Sequence, residues 1–293
     1  MEEQLKEFLD YLEYERKYSV YTVDSYDHDL TEFIEFLTKK NIKNFNKVEY
    51  QLIRDYLVYL YSKKYTNKTI CRHISSLRSF FKYLLLNKKI TDNPMLLITN
   101  PKLEKKLPNF LYYNDLEKIL ESPDQSNFFG IRDELIIELM YATGIRVSEL
   151  VNIKVKDIDF IKKTIQIFGK GKKERIVLFG NKTLELIKKY LNESEFNHEY
   201  LILNQRGKKI TERGIRLILE KNVRKSGVKT HVTPHTIRHT FATHMLNEGA
   251  NLVTVQELLG HENLATTQVY THVSNERLRA VYLKNHPRAK KGE

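Results

Sequence analysis

A short charged segment between prolines divides this sequence into two parts. The run KLEKKL lies between Pro101 and Pro108, and Asn93-Pro94 interrupts the helical pattern just before it. Proline ends helices and a charge run does not form a packed core, so this region is predicted to be a linker. At 293 residues the chain also exceeds the size of one average domain. The predicted organisation is an N-terminal domain over 1–98, a linker over 99–110 and a C-terminal domain over 111–293.

Helical periodicity dominates the N-terminal part. Apolar residues recur there at spacings of three and four, which is typical of the buried face of a helix. The positions with this spacing are Leu5, Phe8, Leu9, Leu12, Leu30, Phe33, Ile34 and Leu37.

The segment TICRHISSLRSFFKYLL reads as one amphipathic helix. Its apolar stripe consists of Ile70, Ile74, Leu77, Phe81 and Leu84. Arg, Lys and small hydroxyl side chains on the other side can approach and bond phosphate oxygens. The candidate phosphate contacts are Arg72, Ser76, Ser79 and Lys82. An ordinary solvent-exposed face would show the same pattern.

The C-terminal part is also mainly helical, with one change of period. In TIQIFGKGKKERIVLF, Ile165, Ile167, Ile176 and Leu178 flank a Gly-Lys-Gly turn, which predicts a β-hairpin. Capping signals delimit the helices around it: Asn114-Asp115, Thr143-Gly144, Thr211, Thr233-Pro234, Gly249 and Gly260. The predicted fold class is mainly α with a small β-hairpin or sheet.

The charge balance favours a polyanionic partner. Lys and Arg number 49 against 37 Asp and Glu, a formal net charge of +12. Nucleic acid or an acidic membrane surface would be attracted by such a surplus. A proteome that is rich in lysine would produce the same surplus without any such partner. Cys71 is the only cysteine, which excludes an intrachain disulfide and a cysteine-based zinc site. With no long apolar run and no signal-peptide pattern, we expect a cytoplasmic protein.

Two basic residues in the C-terminal part stand in unusual settings. Arg146, in TGIRVSELVNI, lies between apolar neighbours after a helix-ending glycine, where Ser148 could cap the next helix. A partly buried arginine needs an anion, which could be a ligand or simply Glu149. Lys170 lies in the turn GKGKKER, whose glycines allow a ligand to approach closely. An exposed turn lysine is the alternative, and the Walker-loop spacing is absent.

Histidines and a tyrosine follow. In TPHTIRHTFATHML, His235, Arg238 and His239 share one side of a helix near its N-terminus, where backbone N–H groups favour an anion. The two histidines have the spacing of a zinc-binding helix, but the metalloprotease glutamate is missing and an arginine would repel a metal. In LLGHENLATTQVYTHV, Tyr270 lies nine positions after His261, although one tyrosine among 18 carries little weight alone.

In this order, the segments TGIRVSEL, GKGKKER, HTIRH, LGH and the tyrosine nine residues later resemble the tyrosine recombinase family, also called the phage integrase family. No catalytic position departs from the family pattern. The closing HVSNERLRAVYLKNHPRAKK and the N-terminal TICRHISSLRSFFKYL resemble the Xer-type members. The resemblance covers essentially the whole chain.

The resemblance implies a role for each motif residue. Tyr270 would attack a DNA phosphate and form a 3′-phosphotyrosyl intermediate, with Arg146 and Arg238 binding the non-bridging oxygens. His235 would accept the tyrosine proton and Lys170 would protonate the leaving 5′ oxygen. The sixth catalytic residue, His261, would bond the phosphate. Further candidate DNA contacts are Lys172, Lys173 and His239. No metal or other cofactor is expected.

The resemblance also implies an assembly. A helical, SAM-like core-binding domain and an α+β catalytic domain would close as a C-shaped clamp on duplex DNA. Four protomers, identical or paired with a second Xer recombinase, would exchange strands through a Holliday junction, and a DNA translocase is a further candidate partner. A tail helix from about Ser274 to Leu283 would dock on the neighbouring protomer.

The expected role is resolution of chromosome or plasmid dimers. Three alternatives stay open: a small phage or transposon integrase, a topoisomerase-like relaxing enzyme, and a non-catalytic architectural DNA-binding protein.

Overall fold

The chain forms two compact units, Met1–Lys106 and Leu107–Glu293. The computed structural model describes residues 1–103, 109–168, 174–197, 199–260 and 275–290. The division between the units falls inside the segment predicted as a linker. Among the described residues, no helix is both long and apolar enough to cross a bilayer.

Four α-helices build the described part of the N-terminal unit. They are α1 (Glu2–Asp10), α2 (Val20–Lys39), α3 (Tyr50–Ser62) and α4 (Asn67–Leu86). Short π and 3₁₀ turns connect them at Tyr11–Glu15 and Phe45–Lys47. Thr66 caps α4 by accepting a hydrogen bond from the Thr69 amide.

The predicted helical stripes form the core of this unit. All five residues of the apolar stripe of α4 are fully buried. The core also contains the predicted residues Leu5, Phe8, Leu12, Leu30, Phe33 and Leu37. Aromatic rings fill much of the space between the helices: Phe8 meets Phe80 at 5.2 Å between ring centroids and Phe33 meets Tyr56 at 4.9 Å. The amphipathic interpretation of these segments is confirmed.

The C-terminal unit is a helical domain with one small sheet. Its described helices are α5 (Tyr113–Leu120), α6 (Phe128–Thr143), α7 (Val147–Leu150), α8 (Asn181–Asn192), α9 (Glu212–Lys225), α10 (Pro234–Asn247), α11 (Leu252–Leu259), α12 (Asn275–Asn285) and α13 (Pro287–Lys290). Its described strands are β1 (Ile158–Asp159), β2 (Thr164–Phe168) and β3 (Glu174–Leu178). Helix α6 is buried on all sides and forms the centre of the unit.

The sheet confirms the predicted hairpin and extends it. Its order is β1-β2-β3, antiparallel throughout, with Ile165 opposite Val177 and Ile167 opposite Arg175. The two-residue strand β1 was not expected from the sequence. Ile165, Ile167 and Val177 face the core, whereas Ile176 is 46% exposed. The alternation of β3 therefore turns Arg175 toward the body of the unit.

Local signals define most helix ends. Gly144 and Gly260 take left-handed φ values of 60° and 65° and end α6 and α11. Thr211 and Thr233 cap α9 and α10 as predicted, each accepting a backbone hydrogen bond. Two predicted caps are wrong. Helix α5 begins at Tyr113, so Asn114 and Asp115 lie inside it, and Ser148 lies inside α7.

The tail packs on its own C-terminal unit. Tyr282 of α12 is fully buried and its hydroxyl donates to the Ala142 carbonyl at 3.0 Å. His286 is also buried, stacked on the Tyr282 ring. Arg288 forms a buried ion pair with Glu138, 3.3 Å between Nε and Oε2. Docking on a neighbouring protomer, as the family resemblance implies, would first require release of these contacts.

Candidate active site

Arg146 lies where α6 gives way to α7. Gly144 turns the chain out of α6, and Arg146 is the residue directly before α7. Its side chain is 40% exposed, so the guanidinium can reach both solvent and the protein interior. Nη1 donates to Glu149 at 2.9 Å, and Nη2 donates to the Gly260 carbonyl at 3.2 Å. Glu149, the alternative partner considered from the sequence, therefore contacts Arg146, and part of the Arg146 side chain remains exposed to solvent.

Arg238 approaches the same place from α10. It is buried, and its two terminal nitrogens each donate at 2.6 Å, Nη1 to the Gly144 carbonyl and Nη2 to the Leu259 carbonyl. Burial lowers its pKa to about 10, with the charges of Arg146 and Arg175 acting in the same direction. The group therefore remains a cation at neutral pH.

The end of α11 is the meeting point of the two arginines. Leu259 and Gly260 supply the carbonyls that hold Arg238 and Arg146, and the next residue in the chain is His261. Two guanidinium groups held side by side repel each other, so their arrangement is maintained by these fixed acceptors. Such a preorganised pair of cations suits an anion with two oxygens to bind.

Glu149 compensates part of this positive charge. It is buried in α7 and accepts four hydrogen bonds, two from the Arg175 guanidinium and two from Arg146. Burial would raise the pKa of the Glu149 carboxyl, but hydrogen bonds from Arg175 and the Arg146 amide outweigh burial and hold this pKa at about 2. The cluster of three arginines and one carboxylate keeps a net positive charge.

His235 and His239 lie on the same helix as Arg238 with different exposure. His235 is exposed in the first turn of α10, whereas His239 is half-buried one turn later. The spacing of three places His235 and Arg238 on the same side of α10. Among the residues whose structure is described, no three His, Cys, Asp or Glu side chains come together as a metal site requires.

Several predicted site residues lie outside the described residues. They are Lys170, Lys172, Lys173, His261 and Tyr270. The structure therefore brings together Arg146 and Arg238 and places His235 on the same helix as Arg238. The positions of the other three catalytic candidates rest on the sequence.

The candidate phosphate contacts on α4 divide into two groups. Lys82 is exposed and Ser79 half-buried, while Arg72 is 40% exposed and pairs with Asp29 at 2.6 Å. The prediction for Ser76 is wrong. Its side chain is fully buried, and its hydroxyl donates to Asp29 at 3.1 Å, so a DNA phosphate cannot reach it.

The buried carboxylate explains why Ser76 turns inward. Asp29 of α2 is fully buried, and burial raises its pKa to about 6 against the opposing effects of Arg72 and Ser76. A buried carboxylate requires donors, and α4 supplies them from Arg72 and Ser76. Nearby, burial lowers the pKa of His73 to about 4. This polar cluster fixes α4 against α2 and limits Arg72 to one orientation.

Two residues of the site were missed by the sequence analysis as functional groups. Glu149 was considered only as an alternative partner for Arg146, and Arg175 was read as part of a turn motif. The spacing of three between Arg146 and Glu149 signals their contact on one helical turn. The sequence offers no comparable signal for Arg175, because its contact with Glu149 joins two distant segments.

Two family profiles match the chain. The profile of the Phage integrase family matches residues 109–277, and the profile of the phage integrase N-terminal SAM-like domain matches residues 5–88. Together they cover most of the sequence and leave out residues 1–4, 89–108 and 278–293.

Full-length relatives agree with the profiles. Tyrosine recombinase XerC of Staphylococcus epidermidis is 48% identical over 290 residues, which cover 98% of each chain. XerC of Bacillus subtilis strain 168 is 46% identical over 293 residues, covering 97% of this chain and 96% of the relative. Among solved structures, the XerH site-specific recombinase bound to difH substrate, a pre-cleavage complex, has a TM-score of 0.70 at 26% identity, covering 97% of this chain and 84% of that one.

Proposed function

The chain belongs to the phage integrase family of site-specific tyrosine recombinases, and from this premise we propose that it cuts and rejoins DNA through a covalent bond between Tyr270 and a phosphate. The observation that carries the proposal is the convergence of Arg146 and Arg238 on the end of α11, one residue before His261. This geometry supports an anion site at the position where the family motifs predict the scissile phosphate.

Charge neutralisation is the first requirement of the reaction. A phosphodiester carries a negative charge that repels a nucleophile, and the charge grows on the non-bridging oxygens as the attack proceeds. Arg146 and Arg238 bind these oxygens. Guanidinium groups suit the task because they stay charged at neutral pH and present planar pairs of donors. Their carbonyl partners hold them in place before the substrate arrives, which reduces the reorganisation needed during the reaction.

Proton transfer is the second requirement. The phenol of tyrosine has a pKa near 10 in water, so Tyr270 must lose its proton during the attack. We assign His235 as the acceptor, since it is exposed on the first turn of the helix that carries Arg238. Lys170 donates a proton to the departing 5′ oxygen. The phosphotyrosyl bond conserves the energy of the broken phosphodiester, and attack by a 5′ hydroxyl then rejoins the strand.

The assembly follows the family pattern. Both units contact duplex DNA in the cytoplasm, and four protomers exchange strands through a Holliday junction. The match to XerC along nearly the whole chain supports resolution of chromosome or plasmid dimers as the biological role. The contacts to the DNA backbone are made by Arg72, Ser79 and Lys82 on α4 of the N-terminal unit and by His239 in the C-terminal unit.

A modified substrate tests the division of labour. A 5′-thiolate departs without a proton, so a substrate with sulfur at the leaving position should restore cleavage to Lys170→Ala. The same substrate should not restore Arg146→Ala, which lacks a phosphate ligand. Single-turnover cleavage of both substrates by both variants gives the answer. Equal rescue of the two variants would contradict the assigned roles.

The biological role needs a separate test. DNase footprinting of the protein on its own chromosomal DNA identifies the target site. A plasmid carrying two direct copies of that site should then yield two smaller circles. Unchanged plasmid under conditions where the protein cleaves the site would contradict the resolution role.

A further inference from the structure

Arg175 has no part in the reaction described above, yet it occupies the centre of the candidate site. It is the second residue of β3, and only 17% of its side chain is exposed. Its guanidinium forms a bidentate pair with Glu149, at 2.6 and 2.7 Å. A bidentate arginine–carboxylate pair fixes both partners more tightly than a single ion pair.

Glu149 links Arg175 to Arg146. Each carboxylate oxygen accepts one bond from Arg175 and one from Arg146, so no lone pair direction is left for water or a further donor. The orientation of Arg146 is thus determined by a carboxylate that Arg175 holds. A change at Arg175 should reach Arg146 without any direct contact between the two arginines.

The charges give this arrangement a second consequence. Glu149 alone with Arg146 would form a neutral pair, and the buried carboxylate would compete with a DNA phosphate for the guanidinium. With Arg175 present, two positive charges share one negative charge, and Arg146 keeps attraction for a further anion. Burial lowers the pKa of Arg238, and the positive charges of Arg146 and Arg175 lower it further, so both charges act on the other arginine of the site.

Arg175 also packs against the end of α11. A Cβ atom placed on Gly260 would lie 2.8 Å from Cδ of Arg175, closer than real Cβ contacts allow, and 3.1 Å from its Nε. Gly260 also has a left-handed φ of 65°. The arginine side chain therefore lies directly on the glycine whose carbonyl binds Arg146 and whose neighbour is His261.

We propose that Arg175 is a positioning residue for strand cleavage, which offsets the charge of Glu149 so that Arg146 can bind the phosphate, and which supports the backbone before His261. The proposal rests on the role assigned above to Arg146. It predicts that a change at Arg175 slows DNA cleavage and lowers DNA affinity little, because the N-terminal unit and the other contacts to the DNA backbone are unchanged.

Four variants of the full-length protein test it. Arg175→Gln removes the charge, Arg175→Lys keeps it without the bidentate geometry, and Arg175→Gln combined with Glu149→Gln removes both charges of the pair. The control is Arg132→Gln, which removes another buried arginine whose partners, Asp133 and the Leu203 carbonyl, lie outside the cluster. Single-turnover cleavage of a nicked suicide substrate, gel-shift affinity for the same DNA and thermal unfolding are measured for each.

The charge argument fixes the expected order. Arg175→Gln should cleave at least about tenfold more slowly than wild type, less severely than direct loss of a phosphate donor. Arg175→Lys should fall between the two. The double variant should cleave faster than Arg175→Gln, because Arg146 no longer faces an unbalanced carboxylate. DNA affinity should change little in all of them, and Arg132→Gln should cleave at the wild-type rate once bound.

Two results would overturn the proposal. One is cleavage by a folded Arg175→Gln at the wild-type rate, and the other is a double variant no faster than the single one, which would indicate a purely structural role. If Arg175→Gln does not fold, the order of Arg175→Lys and the double variant against wild type still decides the charge argument. Wild-type cleavage by Arg146→Ala would instead refute the role of Arg146, independently of Arg175.

Discussion

Removal of the C-terminal tail should destabilise the catalytic unit, because the tail completes the core of that unit. A protein truncated before Asn275 loses the fully buried Tyr282 and the buried His286. It also leaves Glu138 without Arg288, its ion-pair partner, in the centre of the unit. A truncation that affected only contacts between protomers would leave the unfolding of a single chain unchanged.

The magnitude follows from the individual contacts. Removing a large buried aromatic side chain costs about 3–5 kcal/mol, and leaving one partner of a buried ion pair alone costs about 3–5 kcal/mol. These terms overlap, so we expect the truncation to lower the free energy of unfolding by at least about 4 kcal/mol, a large share of the stability of a typical domain. Tyr282→Phe removes only the hydrogen bond to Ala142 and should cost about 1 kcal/mol.

Urea unfolding followed by circular dichroism and tyrosine fluorescence measures these differences, since the chain has no tryptophan. Leu283→Ala is the matched control, because Leu283 follows Tyr282 in α12 but is 46% exposed. It should cost well under the Tyr282→Ala value of about 3 kcal/mol or more. A truncated protein that unfolds with the wild-type free energy would refute the docking of the tail on its own unit.

Three further predictions concern pH, the arginines and salt. Burial lowers the pKa of His286 from 6.5 to about 3. The neutral imidazole therefore contributes to the free energy of unfolding above pH 6.5, and this contribution is lost by about 1.4 kcal/mol per pH unit as the pH falls toward 3. The free energy of unfolding in His286→Phe should lack this slope, and a slope equal to wild type would contradict the assignment. Arg146→Ala and Arg238→Ala should each cleave a suicide substrate about 100-fold more slowly or worse, with DNA affinity nearly unchanged in gel shifts; near-wild-type rates would exclude the phosphate site. DNA affinity itself should fall steeply with salt, with a log–log slope of several units, and a flat response would exclude a clamp on the phosphate backbone.

Local sequence signals predicted the elements but not their partners. The hairpin, the threonine caps of α9 and α10 and the glycine ends of α6 and α11 each depend on a few consecutive residues. Their geometry is set by backbone preferences that a short segment already contains. These are the features of the fold for which the sequence was sufficient.

Contacts between distant segments account for the errors and omissions. Ser76 reads as part of a polar face until Asp29, 47 positions away, is known to be buried beneath it. Arg175 reads as one more basic residue after a turn until Glu149, 26 positions away, is placed opposite it. Burial of a carboxylate depends on tertiary packing, and the donors that it recruits cannot be identified from local periodicity.

The covalent bond to Tyr270 is the central claim and can be tested directly. A nicked suicide substrate traps the cleaved complex, and a denaturing gel separates any protein–DNA adduct. Wild type should give a denaturant-resistant adduct at the 3′ phosphate, and peptide mapping should place the DNA on Tyr270. Tyr270→Phe removes one oxygen and should bind DNA normally while giving no adduct. An adduct formed by Tyr270→Phe, or a modified peptide containing another of the 18 tyrosines, would contradict the account.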